Sequence, residues 1–346
     1  MRKLHSAYNA SMSSDRASFS SSLIAWQQSH GRNDLPWQGK DPYRVWLSEI
    51  MLQQTQVATV IPYYLRFVDA FPSVGALAQA SEDAVLACWS GLGYYARGRN
   101  LHKAARMIMA LHGGVFPKRH EDILNLPGVG RSTAAAISAQ AFGEKRAILD
   151  GNVRRVLARH CGIAGHGKAV EDELWRIAES LLPDRDVAIY TQALMDMGAM
   201  LCKRSSPMCG SCPVRIGCVA FDTGRVHELP TPKPRKRLPE RHARFLIALN
   251  DGMIMLERRG SRGIWGGLWS LPQLEDGIDL HDWEIVERIE MPGLVHTFTH
   301  FRLCISPVVL RLSERPKHQG EHAWMRVDEA LQAAIPAPVR NLLLSL

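Results

Sequence analysis

One stretch of the sequence carries a single acidic side chain among neutral hydrogen-bonding residues. Residues 45–57 read Val-Trp-Leu-Ser-Glu-Ile-Met-Leu-Gln-Gln-Thr-Gln-Val, and Glu49 is their only charged residue. On a helix, Glu49, Gln53 and Gln56 share one face. A lone carboxyl among apolar neighbours acquires a raised pKa, which suits a proton donor, and glutamine amides can hydrogen-bond to base edges. The alternative is an interior polar cluster with no catalytic part.

A second carboxyl stands at the end of an apolar stretch. Asp150 follows Ile148 and Leu149 and precedes a segment, 151–155, that begins a helical pattern. An aspartate in this place is commonly the N-cap of the helix that follows. A carboxylate can also face the positive charge that develops on a sugar when its bond to a base breaks. One residue can do both, so the sequence leaves the two roles open.

A glycine-rich turn separates two further helical segments. Residues 126–130 read Leu-Pro-Gly-Val-Gly, and Ser132 follows in a run of small residues. Gly128 and Gly130 allow a sharp bend and a close approach of the backbone to a ligand. Amides at the start of the next helix would favour a phosphate. The pattern therefore favours a helix-hairpin-helix grip on a nucleic-acid backbone over an ordinary turn between helices that binds nothing.

Four of the seven cysteines crowd into one short segment. They are spaced Cys202-x6-Cys209-x2-Cys212-x5-Cys218. A disulfide framework is not expected in a long chain without an export signal. Zinc is the main alternative to an iron–sulfur cluster, but zinc ribbons usually present two Cys-x2-Cys knuckles and only one is present. Four unequally spaced thiolates are better suited to the corners of a cubane iron–sulfur cluster.

The elements that must position these groups change character along the chain. The pattern is helical from Leu23 to about Ala199, whereas strand-like alternation and an Asp-Gly turn follow residue 241. We therefore predict a multidomain chain, with an all-α body and a smaller C-terminal α+β domain. The expected divisions are a disordered lead (1–20), a helical body (21–200), a cysteine loop (201–221), a Pro- and Lys/Arg-rich linker (222–240) and the C-terminal domain (241–346).

Together these motifs resemble the adenine DNA glycosylase (MutY) family. The resemblance rests on Glu49 with Gln-Gln-Thr-Gln at 53–56, Gly-Leu-Gly-Tyr-Tyr-Ala-Arg at 91–97, the 126–130 turn, Leu-Asp-Gly-Asn-Val at 149–153 and the cysteine quartet. It implies a helix-hairpin-helix glycosylase body with an iron–sulfur cluster loop and a Nudix-like C-terminal domain. It also implies that the enzyme flips adenine out of a mispair with 8-oxoguanine or guanine and hydrolyses its glycosidic bond.

The resemblance also implies roles for individual residues. Glu49 matches the catalytic acid that protonates adenine, and Asp150 matches the carboxylate that stabilises the sugar cation. The four cysteines match the ligands of a [4Fe–4S] cluster. The positions expected to contact DNA or bases in the body are Gln53, Gln54, Tyr94, Gly128, Gly130, Ser132 and Asn152.

Ser132 separates the chain from a neighbouring enzyme family. The endonuclease III family places a lysine two residues past the second glycine of the turn, and the amine of that lysine attacks the sugar and leads to strand cleavage. A serine hydroxyl cannot form the Schiff base that this lyase chemistry needs. We therefore expect a monofunctional glycosylase, although Ser132 can equally be a residue that starts a helix.

The C-terminal domain resembles the Nudix-related domain of the same family. A working Nudix pyrophosphatase needs a glutamate-rich helix for magnesium, and residues 284–290 lack that arrangement. In the family a Phe-Ser-His sequence reads 8-oxoguanine, and the matching residues are Phe298, Thr299 and His300. A single strand from Leu294 to Ile305 would place Phe298 and His300 on one face and Thr299 on the other.

The charge balance agrees with a nucleic-acid partner. The net charge is +8, and the expected partner is double-stranded DNA with an A:8-oxoguanine or A:G mispair. We expect a monomer with no membrane association, in a bacterial cytoplasm at the nucleoid, with a nucleus still open. No motif identifies a sliding clamp or a mismatch-repair partner. The alternatives are a pyrimidine glycosylase with lyase activity and a non-catalytic iron–sulfur protein that only grips DNA.

Overall fold

The computed structural model describes residues 18–39, 41–232, 237–260, 263–274, 278–316 and 322–346. These residues fall into two compact units. The first comprises the chain up to Val68, Ser73–Gly75 and the stretch from Ala104 to the gap at 233–236. The second comprises Asp69–Pro72, Ala76–Lys103 and the described residues after that gap.

The chain before the gap at 233–236 is helical. In chain order its helices are α1 (18–30), α2 (Pro42–Leu52), α3 (Val57–Ala70), α4 (Val74–Gln79), α5 (Glu82–Trp89), α6 (Ala96–His112), α7 (His120–Leu124), α8 (Arg131–Phe142), α9 (Gly151–His160), α10 (Lys168–Ser180), α11 (Val187–Met200) and α12 (Val219–Asp222). Their ends follow local chemistry. Asp41 caps α2 and is followed by a proline at the first helical position, and Gly143 ends α8 in the left-handed conformation.

One hydrophobic core of the first unit lies around α9 and α11. Leu23 of α1, Val153 and Leu157 of α9, and Tyr190 and Ala193 of α11 are almost completely buried in one cluster. The apolar positions of α9 recur at helical spacing, so one face packs inward while the other stays polar. This core packs α9, whose N-cap is Asp150, against α11, which ends two residues before Cys202.

The second unit contains a mixed sheet and the two C-terminal helices. Its strands are β1 (Glu240–Asn250), β2 (Met253–Arg258), β3 (Trp269–Ser270), β4 (Ile285–Glu290), β5 (Leu294–Thr297), β6 (Arg302–Leu312) and β7 (His322–Arg326), and its last helices are α13 (Val327–Gln332) and α14 (Ala337–Leu344). The strand order is β3-β2-β1-β6-β4, with β7 paired to β2 and β5 to β6. β1 and β6 run parallel, and the other pairs are antiparallel.

The predicted fold class is confirmed, including the hairpin at the start of the C-terminal region. Asp251 and Gly252 both have positive φ, at 47° and 70°, and they join β1 to β2. Two consecutive residues in this conformation match the right-handed twist of the flanking strands. Residues 285–290, the closest match to a Nudix glutamate helix, form strand β4 instead, with all six residues exposed.

The prediction of one strand from Leu294 to Ile305 is wrong. The strand β5 ends at Thr297, and the backbone N–H of Phe298 donates to the carbonyl of Phe301 at 2.9 Å. That bond closes a turn, and the chain returns along β6 with Thr297 paired to Arg302. Thr299 and His300 therefore lie at the tip of a hairpin, so the expected alternation of faces stops at Phe298.

The ends and the linker are described only in part. Residues 18–20, which the sequence assigned to a disordered lead, belong to α1, and Phe19 is buried. Residues 1–17 and 233–236 of the basic linker lie outside the described residues. None of the helices in the described ranges is long and apolar enough to cross a membrane.

Candidate active site

Glu49 lies in the middle of α2, within the first unit. The neighbouring side chains Trp46, Leu47, Ile50 and Met51 are almost completely buried, and they fix the helix in the core. Glu49 itself stays partly exposed, so a ligand can reach it. Burial first, and then the charge of the nearby Asp150 carboxylate, together raise its pKa to about 8. Glu49 is therefore protonated at neutral pH.

Asp150 is the N-cap of α9. Its Oδ1 accepts hydrogen bonds from the backbone N–H groups of Asn152 and Val153, both at 2.8 Å. Burial raises the pKa of Asp150 above its usual value, and these two hydrogen bonds and the guanidinium of Arg155 offset part of that rise. Asp150 therefore does cap α9, one of the two roles that the sequence left open, and the cap geometry fixes the direction of its carboxylate.

The two carboxyls form a coupled pair with unequal environments. Burial raises the pKa of both carboxyls, but of the two only Asp150 accepts backbone hydrogen bonds that favour its charged form. When the environments of two neighbouring acids push their pKa values apart, the acid with the higher pKa can serve as the proton donor and the other as the stabilising anion. The two environments would suit Glu49 to proton donation and Asp150 to charge stabilisation.

The glycine turn lies at the start of α8, in the same unit. Gly128 has a φ of 81°, which a glycine adopts without strain, and both Gly128 and Gly130 are exposed. Gly130 is the N-cap of α8 and has no side chain to cover the free amides of the first turn. Gln53 donates from Nε2 to the carbonyl of Gly128 and to Oγ1 of Thr133, both at 3.3 Å. The Glu49 helix is thus linked directly to the turn.

Ser132 connects the same turn to the second carboxyl. Its Oγ accepts a hydrogen bond from the backbone N–H of Leu149 at 3.0 Å. Leu149 directly precedes Asp150, so α8 and the cap of α9 are held together at this point. The serine therefore has a structural role in the first unit.

Two other predicted contact residues adopt backbone conformations that are rare for residues other than glycine. Gln54 has a φ of 57° in the first unit, and Tyr94 has a φ of 49° in the second. Both are exposed, and Tyr94 is 48% accessible. Side chains held in sparsely populated conformations often belong to functional sites. The exposed ring of Tyr94 is suited to stacking against a base.

The four clustered cysteines line one cavity at the end of α9. The cavity wall also includes apolar side chains, among them Val156, Met197 and Val214. The four thiols are free of disulfides. Burial and the other three cysteines raise the pKa of Cys212 to about 11, against a backbone hydrogen bond from Val214 that lowers it, so a positive charge is needed to hold Cys212 as a thiolate at neutral pH. The donor set therefore fits a thiolate-bound metal centre.

An arginine that the sequence reasoning did not select joins this cysteine centre to the Asp150 helix. Arg155 donates from Nε to the carbonyl of Cys202 at 2.7 Å. Its Nη2 donates to Oδ1 of Asn152 at 2.9 Å and to the carbonyl of Gly198 at 2.7 Å. The pattern of the sequence could not reveal this link, because its acceptors are mostly backbone carbonyls more than 40 residues away.

An aromatic cluster surrounds the hairpin tip in the second unit. The ring of Phe298 stacks on Phe301, with centroids 4.4 Å apart and planes inclined by 17°. Trp265 and His296 each pack against Phe298, and His300 lies edge-on to Phe301. The cluster holds the base of the turn, whereas Thr299 and His300 are exposed at its tip. Trp265 was not anticipated from the sequence.

Comparisons with known proteins agree with this architecture. A model of the HhH-GPD superfamily base excision DNA repair proteins matches residues 47–180, and a NUDIX domain model matches residues 243–345. The solved structure of a thermostable thymine-DNA glycosylase has a TM-score of 0.56 at 28% identity, and it covers 61% of this chain and 98% of its own. A non-covalent endonuclease III–DNA complex has a TM-score of 0.52 at 21% identity, over 60% and 97% of the two chains, which supports the fold alone.

Relatives of known activity match almost the whole chain. The adenine DNA glycosylase of Buchnera aphidicola subsp. Acyrthosiphon pisum is 36% identical, over 94% of this chain and 96% of that protein. The adenine DNA glycosylase of Rattus norvegicus is 40% identical, over 95% of this chain and 78% of that protein. The resemblance found in the sequence is confirmed: the chain belongs to the adenine DNA glycosylase family of base excision repair enzymes.

Proposed function

We propose that the protein excises adenine from A:8-oxoguanine and A:G mispairs after flipping the adenine out of the duplex. The observation that carries the proposal is the pair of carboxyls, Glu49 with a pKa of about 8 and the N-cap Asp150. Both lie in one unit with the Gly128–Gly130 turn, where exposed amides suit a phosphate. An adenine inside a stacked duplex would not reach a partly covered side chain such as Glu49, so flipping is required.

The chemistry follows from the protonation states of the two acids. Glu49 gives its proton to a ring nitrogen of adenine, and the glycosidic bond breaks with its electron pair leaving on the base. The sugar becomes a cation that the Asp150 carboxylate faces, and a water molecule adds to the anomeric carbon. The proton that this water loses returns to the Glu49 carboxylate. The products are free adenine and an abasic site.

The direct test is single-turnover cleavage of duplexes with one adenine opposite 8-oxoguanine or opposite guanine. We expect adenine release from both duplexes. Release should be faster from the 8-oxoguanine duplex, because Thr299 and His300, which match the residues that read 8-oxoguanine in the family, are exposed on the hairpin tip and can contact that base. Release of a pyrimidine base instead would support the endonuclease III-like alternative. Tight binding with no abasic product would support a non-catalytic binder.

We further propose that the enzyme lacks lyase activity, because Ser132 offers a hydroxyl where a Schiff base needs an amine. Strand breaks should appear only after alkali treatment of the product. Ser132→Lys should then produce breaks without alkali and a DNA adduct that borohydride traps. Ser132→Ala is the matched control, since it also removes the hydrogen bond to Leu149 but adds no amine. Breaks from the untreated wild-type reaction would contradict the proposal.

We propose a [4Fe–4S] cluster as the group that the four cysteines hold, with zinc as the alternative. When bound, such a cluster supplies cross-links among four thiolates and a positive centre for the surrounding loop. The residues that hold it are Cys202, Cys209, Cys212 and Cys218, and Arg159 also donates to the Cys202 sulfur at 3.4 Å.

Cys212→Ser should remove the cluster and destabilise the first unit. We expect the purified wild type to be brown and to contain iron and sulfide, and the variant to be pale and to unfold at lower temperature, because Cys212 lies in the shared cavity. Cys304→Ser is the control, since Cys304 lies on β6 in the second unit. A colourless wild type loaded with zinc would overturn the cluster assignment.

A further inference from the structure

The loop that presents Tyr94 is held from two sides within the second unit. It runs from Ser90 to Tyr95 between α5 and α6. On one side, Trp89 donates from Nε1 to the carbonyl of Gly93 at 3.1 Å, and Arg97 donates from Nη2 to the same carbonyl at 3.2 Å. The Arg97 guanidinium also lies 5.1 Å from the centre of the Tyr94 ring. These contacts come from residues next to the loop in sequence.

The other side of the loop is held by the turn between α13 and α14, more than 200 residues further along the chain. Ser90 donates from Oγ to the carbonyl of Ile335 at 2.9 Å, and the Tyr95 hydroxyl donates to the same carbonyl at 3.3 Å. The backbone N–H of Gly91 donates in turn to the Tyr95 hydroxyl at 3.3 Å. One buried carbonyl therefore organises both ends of the loop.

Arg340 completes this arrangement from α14. It donates from Nη2 to Oγ of Ser90 at 3.1 Å and from Nη1 to the carbonyl of Leu331 at 2.6 Å. Ser90 and Ile335 are buried, at 8% and 0% exposure, so the hydrogen bonds form away from solvent and are costly to leave unmade. The guanidinium thus joins α13, α14 and the start of the loop.

We propose that Arg340 is a positioning residue that, through Ser90 and the Ile335 carbonyl, fixes the loop so that the Tyr94 ring is presented to DNA. The proposal rests on the proposed function and on the family resemblance, which implies that Tyr94 contacts the DNA or wedges beside the mispair. Tyr94 has a positive φ and is 48% accessible, so its own contacts do not immobilise it fully. Holding an exposed wedge in advance reduces the entropy lost when it inserts.

The first test uses the full-length enzyme carrying Arg340→Met. We expect single-turnover adenine release from the A:8-oxoguanine duplex to fall by about 10- to 100-fold, the range seen when a distant change displaces a positioned group. In a Tyr94→Ala background the same substitution should cause no further fall, because the group it positions is absent. Arg340→Lys should retain more of the wild-type rate than Arg340→Met does. Tyr95→Phe removes only the hydroxyl that donates to the Ile335 carbonyl, so it should lower the rate less than Arg340→Met does.

The matched control is Arg258→Met. Arg258 of β2 donates to Oδ1 of Asp83 in α5 at 2.6 Å. Like Arg340, it therefore joins the C-terminal part of the second unit to the α5 region, but at a point away from the loop. An equal loss of rate from Arg258→Met would show that general loosening of the unit explains the effect, and it would overturn the proposal. A loss from Arg340→Met that persists undiminished in the Tyr94→Ala background would overturn it as well.

A second measurement does not depend on catalysis. Hydrogen exchange read by mass spectrometry should show faster exchange of the amides in 91–97 in Arg340→Met than in Arg258→Met, with exchange in α9 unchanged. Equal exchange in the two variants would overturn the positioning role. If the wild type releases no adenine, the proposed function fails, while the exchange result still decides whether Arg340 orders the loop.

Discussion

Glu49→Gln is expected to reduce single-turnover adenine release by about 100- to 10,000-fold, the usual contribution of a positioned general acid. Glutamine keeps the size and the hydrogen-bonding ability of the side chain, but its amide is not acidic and cannot transfer a proton to adenine. Duplex binding should remain close to that of the wild type, since the change does not touch the Gly128–Gly130 turn. Rates of adenine release and binding by electrophoretic mobility shift measure the two effects separately.

The pKa of Glu49 predicts the shape of the pH profile. Burial, and then the Asp150 charge, raise this pKa to about 8, so the acid is protonated through neutral pH. The rate should therefore hold below that value and fall as pH rises through it, because the ionised carboxylate has no proton to give. A rate that rises through pH values around 8 would show that Glu49 does not act as the acid.

The same pKa shift has a consequence for stability, which serves as a control on folding. The folded state keeps the Glu49 proton up to about pH 8, whereas the unfolded chain releases it near 4.5. The wild type therefore loses stability as pH rises between these values, and a neutral glutamine does not. Glu49→Gln should thus unfold at higher denaturant concentration than the wild type at alkaline pH, with little difference at acidic pH. A less stable variant at alkaline pH would mean that the side chain makes contacts that glutamine cannot.

Much of this site follows from local patterns in the sequence. The raised pKa of Glu49 was expected because a single carboxyl among apolar neighbours must lose solvent. The cap at Asp150 was one of the two roles that the sequence indicates, because short polar side chains at helix starts accept backbone hydrogen bonds. Both inferences depend on a few adjacent residues, which the sequence displays directly.

What the sequence could not supply depends on contacts between distant segments. Arg155 reads as an ordinary helix residue until α11 and Cys202 place their carbonyls against it. Arg340 likewise reads as a surface residue until Ser90 lies beside it. The turn at 298–301 was missed because alternation marks a strand but does not mark where two paired strands reverse, and this reversal contains neither glycine nor proline.

Replacing Asp150 separates its two roles, and Asp150→Asn tests the charge. Asparagine is as good an N-cap as aspartate, so it should keep the hydrogen bonds to Asn152 and Val153 and the stability of α9. It removes the anion that faces the sugar cation, and we expect adenine release to fall by about 100- to 1,000-fold, the loss seen when a single stabilising group is removed from a developing charge. Thermal unfolding together with single-turnover rates measures both effects.

Asp150→Ala removes the cap as well as the charge. It should lower the free energy of unfolding by about 0.5–2 kcal/mol below that of Asp150→Asn, while the two variants lose activity to a similar extent. The alternative that Asp150 is only a cap predicts the opposite pattern, with Asp150→Asn active and Asp150→Ala impaired through stability alone. Because the Asp150 charge raises the pKa of Glu49, the residual activity of Asp150→Asn should also decline from a lower pH than in the wild type. Loss of activity without that shift would mean that the two carboxyls do not act as a pair.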